Sequence, residues 1–325
     1  MSVRKFLSEF GHHMYGSYAV LVQQEWLGRL AEAGVDQNFP LNIYMVGRRP
    51  RVTIDPESIK VTAETISGRF LFQRGNSFEA HPFRARNLLG TDTPIFESVY
   101  PHTEYMVRDD SGVVIGRGKV ANLMTQLAPR SLELLDLEIL YIGQSYGVEG
   151  DRYAQERLQS HSTLQFIYSE AIRRSPDQEI WLALWCFDPM LIASFDGRES
   201  TVTTTTDEED EAHIEKVFRT RISRQQEINL TEAALIRYFR PEYNEMFKNS
   251  FPNPAHRTYS ECYQLDLNAI GVEVDSEPLQ CRLWSPAAEP RWQHIIIFPL
   301  HSDEQRQSMF DFSPGVGVIL GVSDT

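Results

Sequence analysis

The chain has 325 residues, with 31 Lys and Arg against 45 Asp and Glu, for a formal net charge of -14. That balance excludes a protein that coats nucleic acid by bulk attraction, because neutralising phosphates needs clustered cations, yet it leaves room for a nucleic-acid substrate held by local complementarity. An apolar fraction of 42% and a charged fraction of 23% are ordinary globular usage. No apolar run approaches the about 18 residues that span a bilayer, and Glu9, His12, His13 and Glu25 interrupt the stretch where a secretory signal would be apolar. A cytoplasmic protein without membrane contact is expected. Cys186, Cys262 and Cys281 are odd in number and lack paired spacing, so they read as buried thiols rather than a disulfide framework or a zinc site.

Residues 18–33 space Val20, Leu21, Trp26, Leu27 and Leu30 on one helical face, and Gly34 can stop the run, which predicts an early helix. From about residue 40 to 121 the pattern changes to short runs such as IYMV, VTI and GRFLFQ divided by Pro, Gly and Asn, which predict strands. RDDSG at 108–112, between EYMV and VVIG, predicts a hairpin turn. Residues 131–142 alternate as a strand with Leu135, Leu137, Ile139 and Tyr141 on one face, and a glycine-rich loop follows. Residues 151–161 and 163–174 read as helices, and 179–187, with Trp181 and Trp185, as a buried strand. The tract TVTTTTDEEDEAH reads as an exposed insertion with a solvated acidic run. LTEAALIRYF at 230–239 predicts a helix capped by Thr231 and ended by Pro241. The remainder returns to strand-like runs such as HIIIFPL. His12 and His13 have no Cys or acid at ligand spacing nearby and read as surface or turn residues. Three segments result: a β-rich domain with an early helix over 1–128, a mixed domain over 129–250 and a β-rich region over 251–325.

Three polar clusters fall in the middle segment. Tyr141-Ile142-Gly143-Gln144-Ser145 ends a strand. Arg157 and His161 stand four apart, so on a helix they share a face; a guanidinium forks onto phosphate oxygens and an imidazole can move a proton. Taken alone, such a pair is more often a solvated face. Glu232 lies beside the apolar run Ala233, Ala234, Leu235 and Ile236, and a carboxylate is a hard ligand suited to Mg²⁺. A lone carboxylate implies one ion, since two-metal sites need several bridging acids.

In order, YIGQS, Arg157-x-x-x-His161 and Glu232-x-x-Leu235-Ile236-x-x-x-x-Pro241-x-Tyr243-Asn244 resemble the second half of the GIY-YIG nuclease pattern, over residues 131–244. The resemblance implies an α+β fold built on a small, mostly antiparallel sheet with flanking helices, with the β-rich N-terminal and C-terminal regions outside it. It implies a metal-dependent endonuclease that hydrolyses phosphodiester bonds in DNA with one Mg²⁺ or Mn²⁺ ion. Tyr141 is then the second family tyrosine, within the tripeptide that Gly143 completes. Arg157 is the phosphate clamp, His161 assists proton handling, Glu232 holds the metal and Asn244 orders the site. The family's first tripeptide, Gly-Ile-Tyr, is missing upstream of Tyr141. Tyr105 in EYMV is the first candidate for its tyrosine, ahead of Tyr100 and of Tyr44 in NIYMVG, while Tyr146 and Tyr153 sit in the loop before Arg157. A free-standing nuclease with added regions points to restriction or antiphage defence. The second reading is a catalytically silent member of that fold, used to bind nucleic acid or to assemble with a protein partner or a second copy. The missing tripeptide and the acidic balance favour it.

Overall fold

A computed structural model describes residues 3–32, 35, 39–89, 91, 93–145, 162–195, 203–256, 260–302 and 304–310. Strands β1 (Ser8–Val22) and β2 (Ile43–Pro50) are followed by two small sheets. One contains β3 (Val52–Ile54), β4 (Lys60–Val61), β5 (Thr65–Arg74) and β6 (Ser77–Arg86); the other contains β7 (Ile95–Glu97), β8 (Glu104–Arg108) and β9 (Val114–Lys119). Then come β10 (Leu137–Gln144), β11 (Gln178–Phe195), β12 (Ala269–Asp275), β13 (Leu283–Ser285), β14 (Ala288–Arg291) and β15 (Gln293–Pro299). The helices are α1 (Leu27–Glu32), α2 (Val120–Leu127), α3 (Ser162–Arg174), α4 (Asp207–Arg219), α5 (Arg224–Phe239) and α6 (Ser260–Gln264).

Eight strands form one mixed sheet in the order β14-β13-β10-β2-β11-β1-β12-β15. At its centre β10, β2 and β11 are antiparallel, while β13 on β10 and β12 on β1 pair in parallel. The sheet curls nearly closed: His294 on β15 reaches the Leu283 carbonyl on β13 through Nε2 at 3.1 Å. On one face, α5 buries Ile228, Leu230, Ala233, Ala234, Leu235 and Phe239 in a cluster that also holds Ile43, Met45, Ile142, Trp181 and Trp185. On the other face, Leu27 of α1 and Leu164 and Ile167 of α3 pack with Tyr44, Val46, Leu182 and Leu184. Cys186, Cys262 and Cys281 are buried free thiols. Among the described residues no helix is long and apolar enough to cross a membrane.

The expected small sheet standing apart from β-rich end regions does not form. The three central strands leave main-chain groups unpaired along both outer edges, and an exposed edge recruits further strands. Here β1 fills one edge and β13 half of the other, so the sheet takes β1 and β2 from residues 1–128, β10 and β11 from 129–250, and β12 to β15 from 251–325.

Four local expectations are also corrected. Tyr18–Val22 belong to β1 and pair with Leu182–Cys186 of β11, so the early α-helix begins only at Leu27; sheet pairing overrides the helical spacing. The acidic run is the first turn of α4. Thr206 and Glu209 form a capping box, and the acids complement the positive end of the helix dipole. Thr231 lies inside α5, where its hydroxyl donates to the Glu227 carbonyl at 2.7 Å, and Ser223 holds the N-cap position. In β10, the register shifts between Ile139 and Tyr141, a bulge at Leu140. Leu135, Leu137 and Ile139 therefore face the α5 side, while Tyr141 turns to the face of Tyr44.

Candidate active site

The pairing of β2 with β10 sets Tyr44 opposite Gly143 and Val46 opposite Tyr141. Opposed residues of an antiparallel pair point to the same face, so the two tyrosines are neighbours on it. Their ring centroids lie 6.2 Å apart. Gly143 makes this arrangement possible. A Cβ there would stand 2.5 Å from Cζ of Tyr44 and 2.9 Å from Cε1 of Tyr141, distances no side chain tolerates. The end of this strand pair is closed by Asn42, whose carbonyl accepts from the Ser145 N–H at 2.7 Å and whose Nδ2 donates to the Ser145 carbonyl at 3.0 Å.

The last turn of α5 and the residues after it complete the edge of β10 that β13 leaves open, since β13 pairs only with Leu137 and Glu138. Arg240 takes the left-handed conformation at the helix C-cap, and Pro241 prevents continuation. The Tyr243 N–H then donates to the Leu140 carbonyl at 3.0 Å. Asn244 accepts from the Ile142 N–H at 2.9 Å and donates to the Ile142 carbonyl at 2.8 Å. One buried amide thus does the work of a strand residue beside Tyr141. The Tyr243 hydroxyl donates to Glu170 of α3 at 3.0 Å, and burial together with that carboxylate pushes the phenol up to about 12.

Glu232 is carried by α5 on the opposite face of the sheet, half-buried near the end of β10. Gln144, next in sequence to Gly143, donates from Nε2 to Glu232 Oε2 at 2.9 Å and to Asn229 Oδ1 at 2.6 Å. Glu232 and Asn229 stand three apart on one helix face, and both turn an oxygen toward Gln144, the donor type a hard divalent cation prefers. Among the described residues no group of three or more His, Cys, Asp and Glu is placed to hold a metal ion. A site resting on one carboxylate is of a different kind.

Tyr141 and Gly143 share one face of β10 and Asn244 bonds the strand edge at Ile142, whereas Glu232 lies on the opposite face, at Gln144, and is not brought onto the face of Tyr141. Arg157 and His161 lie outside the described residues, as do Tyr146 and Tyr153; His161 immediately precedes α3 in sequence. Tyr105 is elsewhere: on β8 in the small sheet, it stacks on Phe96 at 5.9 Å, covers Gly118, and burial raises its phenol pKa. Tyr100 is an 86% exposed turn residue. The tyrosine beside Tyr141 is Tyr44, fully buried on β2. Its tripeptide Asn42-Ile43-Tyr44 shares Ile-Tyr with Gly-Ile-Tyr. Gln144 and Asn42 gave no signal beyond their position next to the motifs. Comparison of the chain with family models, with curated proteins and with solved structures finds no match.

Proposed function

We propose that the chain is a metal-dependent endonuclease that hydrolyses phosphodiester bonds in DNA. Its chemical groups would be Tyr44 and Tyr141 on one face of β2 and β10 and Glu232 on the other, at the end of β10, together with Arg157 and His161, which the resemblance implies and which lie outside the described residues. The observation that supports this reading is the placement of Tyr44 beside Tyr141, opposite Gly143, which would supply the tyrosine that the resemblance implies and the missing Gly-Ile-Tyr does not. Tyr141, partly exposed near the strand end, could orient a water molecule and take part in its deprotonation, with the buried Tyr44 beside it. Asn244 fixes the main chain of Ile142 and with it the direction of Tyr141. Arg157 would fork onto the phosphate and hold the charge that builds there, and His161 would carry a proton to or from the reacting oxygens. Glu232, with Asn229 beside it, would hold one Mg²⁺ or Mn²⁺, which when bound supplies Lewis-acid polarisation of the phosphate. The net charge of -14 agrees with a protein that engages its substrate locally rather than by bulk attraction.

The test is incubation of the purified chain with supercoiled plasmid and Mg²⁺ or Mn²⁺, with EDTA as control. Metal-dependent conversion to nicked or linear DNA by the wild type, lost in Glu232→Ala, supports the reading. A folded wild type that leaves plasmid intact with both metals overturns it and favours the silent assembly or binding module.

A further inference from the structure

Past the start of β2, strands β1 and β11 run on as a pair, and His12 stands opposite Leu191 there. A cavity of about 450 Å³ opens between this extension, α4 and the start of α5, with His12, Leu191, Phe218, Arg221, Arg224 and Glu227 among its walls. Its size is that of a small-ligand site.

The buried side carries one unsatisfied nitrogen and, beside it, a carboxylate. His12 is 7% exposed, and its Nε2 has no hydrogen-bond partner. The nearest acid oxygen, Glu227 Oε1, is 3.8 Å away, beyond a hydrogen bond. Burial, with His13 adding to it, lowers the His12 imidazole to about 4, so the ring is neutral at pH 7 and its Nε2 can accept. The other Glu227 oxygen is engaged by Arg224 at 3.3 Å. Two acceptors 3.8 Å apart therefore face one space, and a single nitrogen with two hydrogens can stand about 2.9 Å from both. An amino group meets that demand; an imide N–H, with one hydrogen, meets half of it.

The open side carries an aromatic surface and a cation. Phe218 is 67% exposed, edge-on to Phe10 at 5.8 Å, a stacking platform of the kind bases use. Arg221 is exposed and forms no ion pair among the described residues, which leaves its guanidinium available to a phosphate.

We propose that this cavity binds a nucleoside monophosphate unit whose base carries an exocyclic amino group, with the amino group between Glu227 and His12, the base against Phe218 and the phosphate at Arg221. The unit is either a free nucleotide or a base extruded from a strand. The inference stands apart from cleavage at Glu232.

Titration of the full-length chain in EDTA with dAMP, dCMP, dGMP, dTMP and inorganic phosphate tests it. At least one amino-bearing monophosphate is expected to bind about tenfold more tightly than dTMP, the factor one well-placed charge-assisted hydrogen bond supplies; inorganic phosphate is expected to be weaker than either. Glu227→Gln should abolish the preference over dTMP, while Arg221→Ala, at a surface position, should weaken all four nucleotides alike. Competition of a short single-stranded oligoadenylate with dAMP would assign the unit to a strand; binding of dAMP without such competition would assign it to free nucleotide. Equal binding of dTMP and the amino-bearing monophosphates, or affinity unmoved by Arg221→Ala in a folded protein, overturns the proposal. Nucleotide discrimination without plasmid nicking upholds this site while removing the nuclease reading, and nicking without discrimination does the reverse.

Discussion

Tyr44 lies opposite Gly143 across β2 and β10, with its ring where a side chain at position 143 would begin. Gly143→Ala is expected to destabilise the protein by about 1–3 kcal/mol, the usual range for overpacking a filled site. Because the clash is with the Tyr44 ring, Tyr44→Ala in the same chain should return part of that loss, a coupling that denaturant midpoints of both single variants and the double variant will show. Additive losses would place the strain elsewhere.

The two-fold amide contact of Asn244 with Ile142 is buried and holds the open half of the β10 edge. Asn244→Ala leaves a buried N–H and carbonyl unpaired and is expected to cost about 2–4 kcal/mol in urea unfolding, twice the penalty of about 1–2 kcal/mol for one group. Asn244→Asp keeps the acceptor and loses the donor, so it should fall between the wild type and Ala. A loss below 0.5 kcal/mol on the same scale would show that water replaces the amide.

Among phenols, the geometry separates Tyr44 from Tyr105. Tyr44→Phe keeps the packing over Gly143 and removes only the hydroxyl, so plasmid nicking is expected to drop at least about tenfold, within the usual range for loss of a proton-transfer group. Tyr105→Phe should nick at the wild-type rate. The reverse ranking would return the missing role to Tyr105.

Gln144 touches Glu232 without belonging to the proposed metal donors. Gln144→Ala is expected to raise the Mg²⁺ concentration needed for half-maximal nicking about tenfold, as loss of a supporting contact to a ligand does, while Glu232→Ala abolishes nicking at any Mg²⁺ concentration. An unchanged Mg²⁺ requirement in Gln144→Ala would remove this positioning role.

The closure of the sheet depends on a neutral histidine. The His294 ring lies 3.1 Å from the Leu283 carbonyl at Nε2 and 3.0 Å from the Tyr238 hydroxyl at Nδ1, so Nε2 donates and Nδ1 accepts. Burial lowers this imidazole from 6.5 to about 4. The unfolded chain therefore takes up a proton here at a higher pH than the folded one, and stability present at pH 7 is lost as pH falls from about 6.5 toward about 4. The loss from this group alone is about 3 kcal/mol at 1.36 kcal/mol per unit. His12, lowered likewise to about 4, adds to it over the same window. Urea midpoints between pH 7 and pH 4 will show the fall, and His294→Gln should reduce its steepness. An unaltered pH profile in that variant would assign the acid sensitivity to other groups.

Local chemistry made several parts of this protein legible in the amino-acid order. RDDSG turns between β8 and β9 with Gly112 at φ 79°, Pro241 ends α5, HIIIFPL is a strand, and Trp181 and Trp185 are buried, because turn conformations, proline geometry and apolar runs act over a few residues. The strand that carries Tyr141 and Gly143 and the helix that carries Glu232 were legible for the same reason. Tertiary pairing decided the rest. The segment Tyr18–Val22 has helical spacing but lies against β11, and the bulge at Leu140 turns Tyr141 to the face opposite the one its alternation with Ile139 indicates. Tyr44, not the nearer Tyr105, reaches Tyr141, since β2 finds its partner by matching a strand edge across two intervening small sheets rather than by proximity in the chain. Periodicity belongs to one segment at a time, whereas strand partnership, and with it the size of the sheet and the identity of the tyrosine beside Tyr141, belongs to pairs of segments that meet only once the chain is folded.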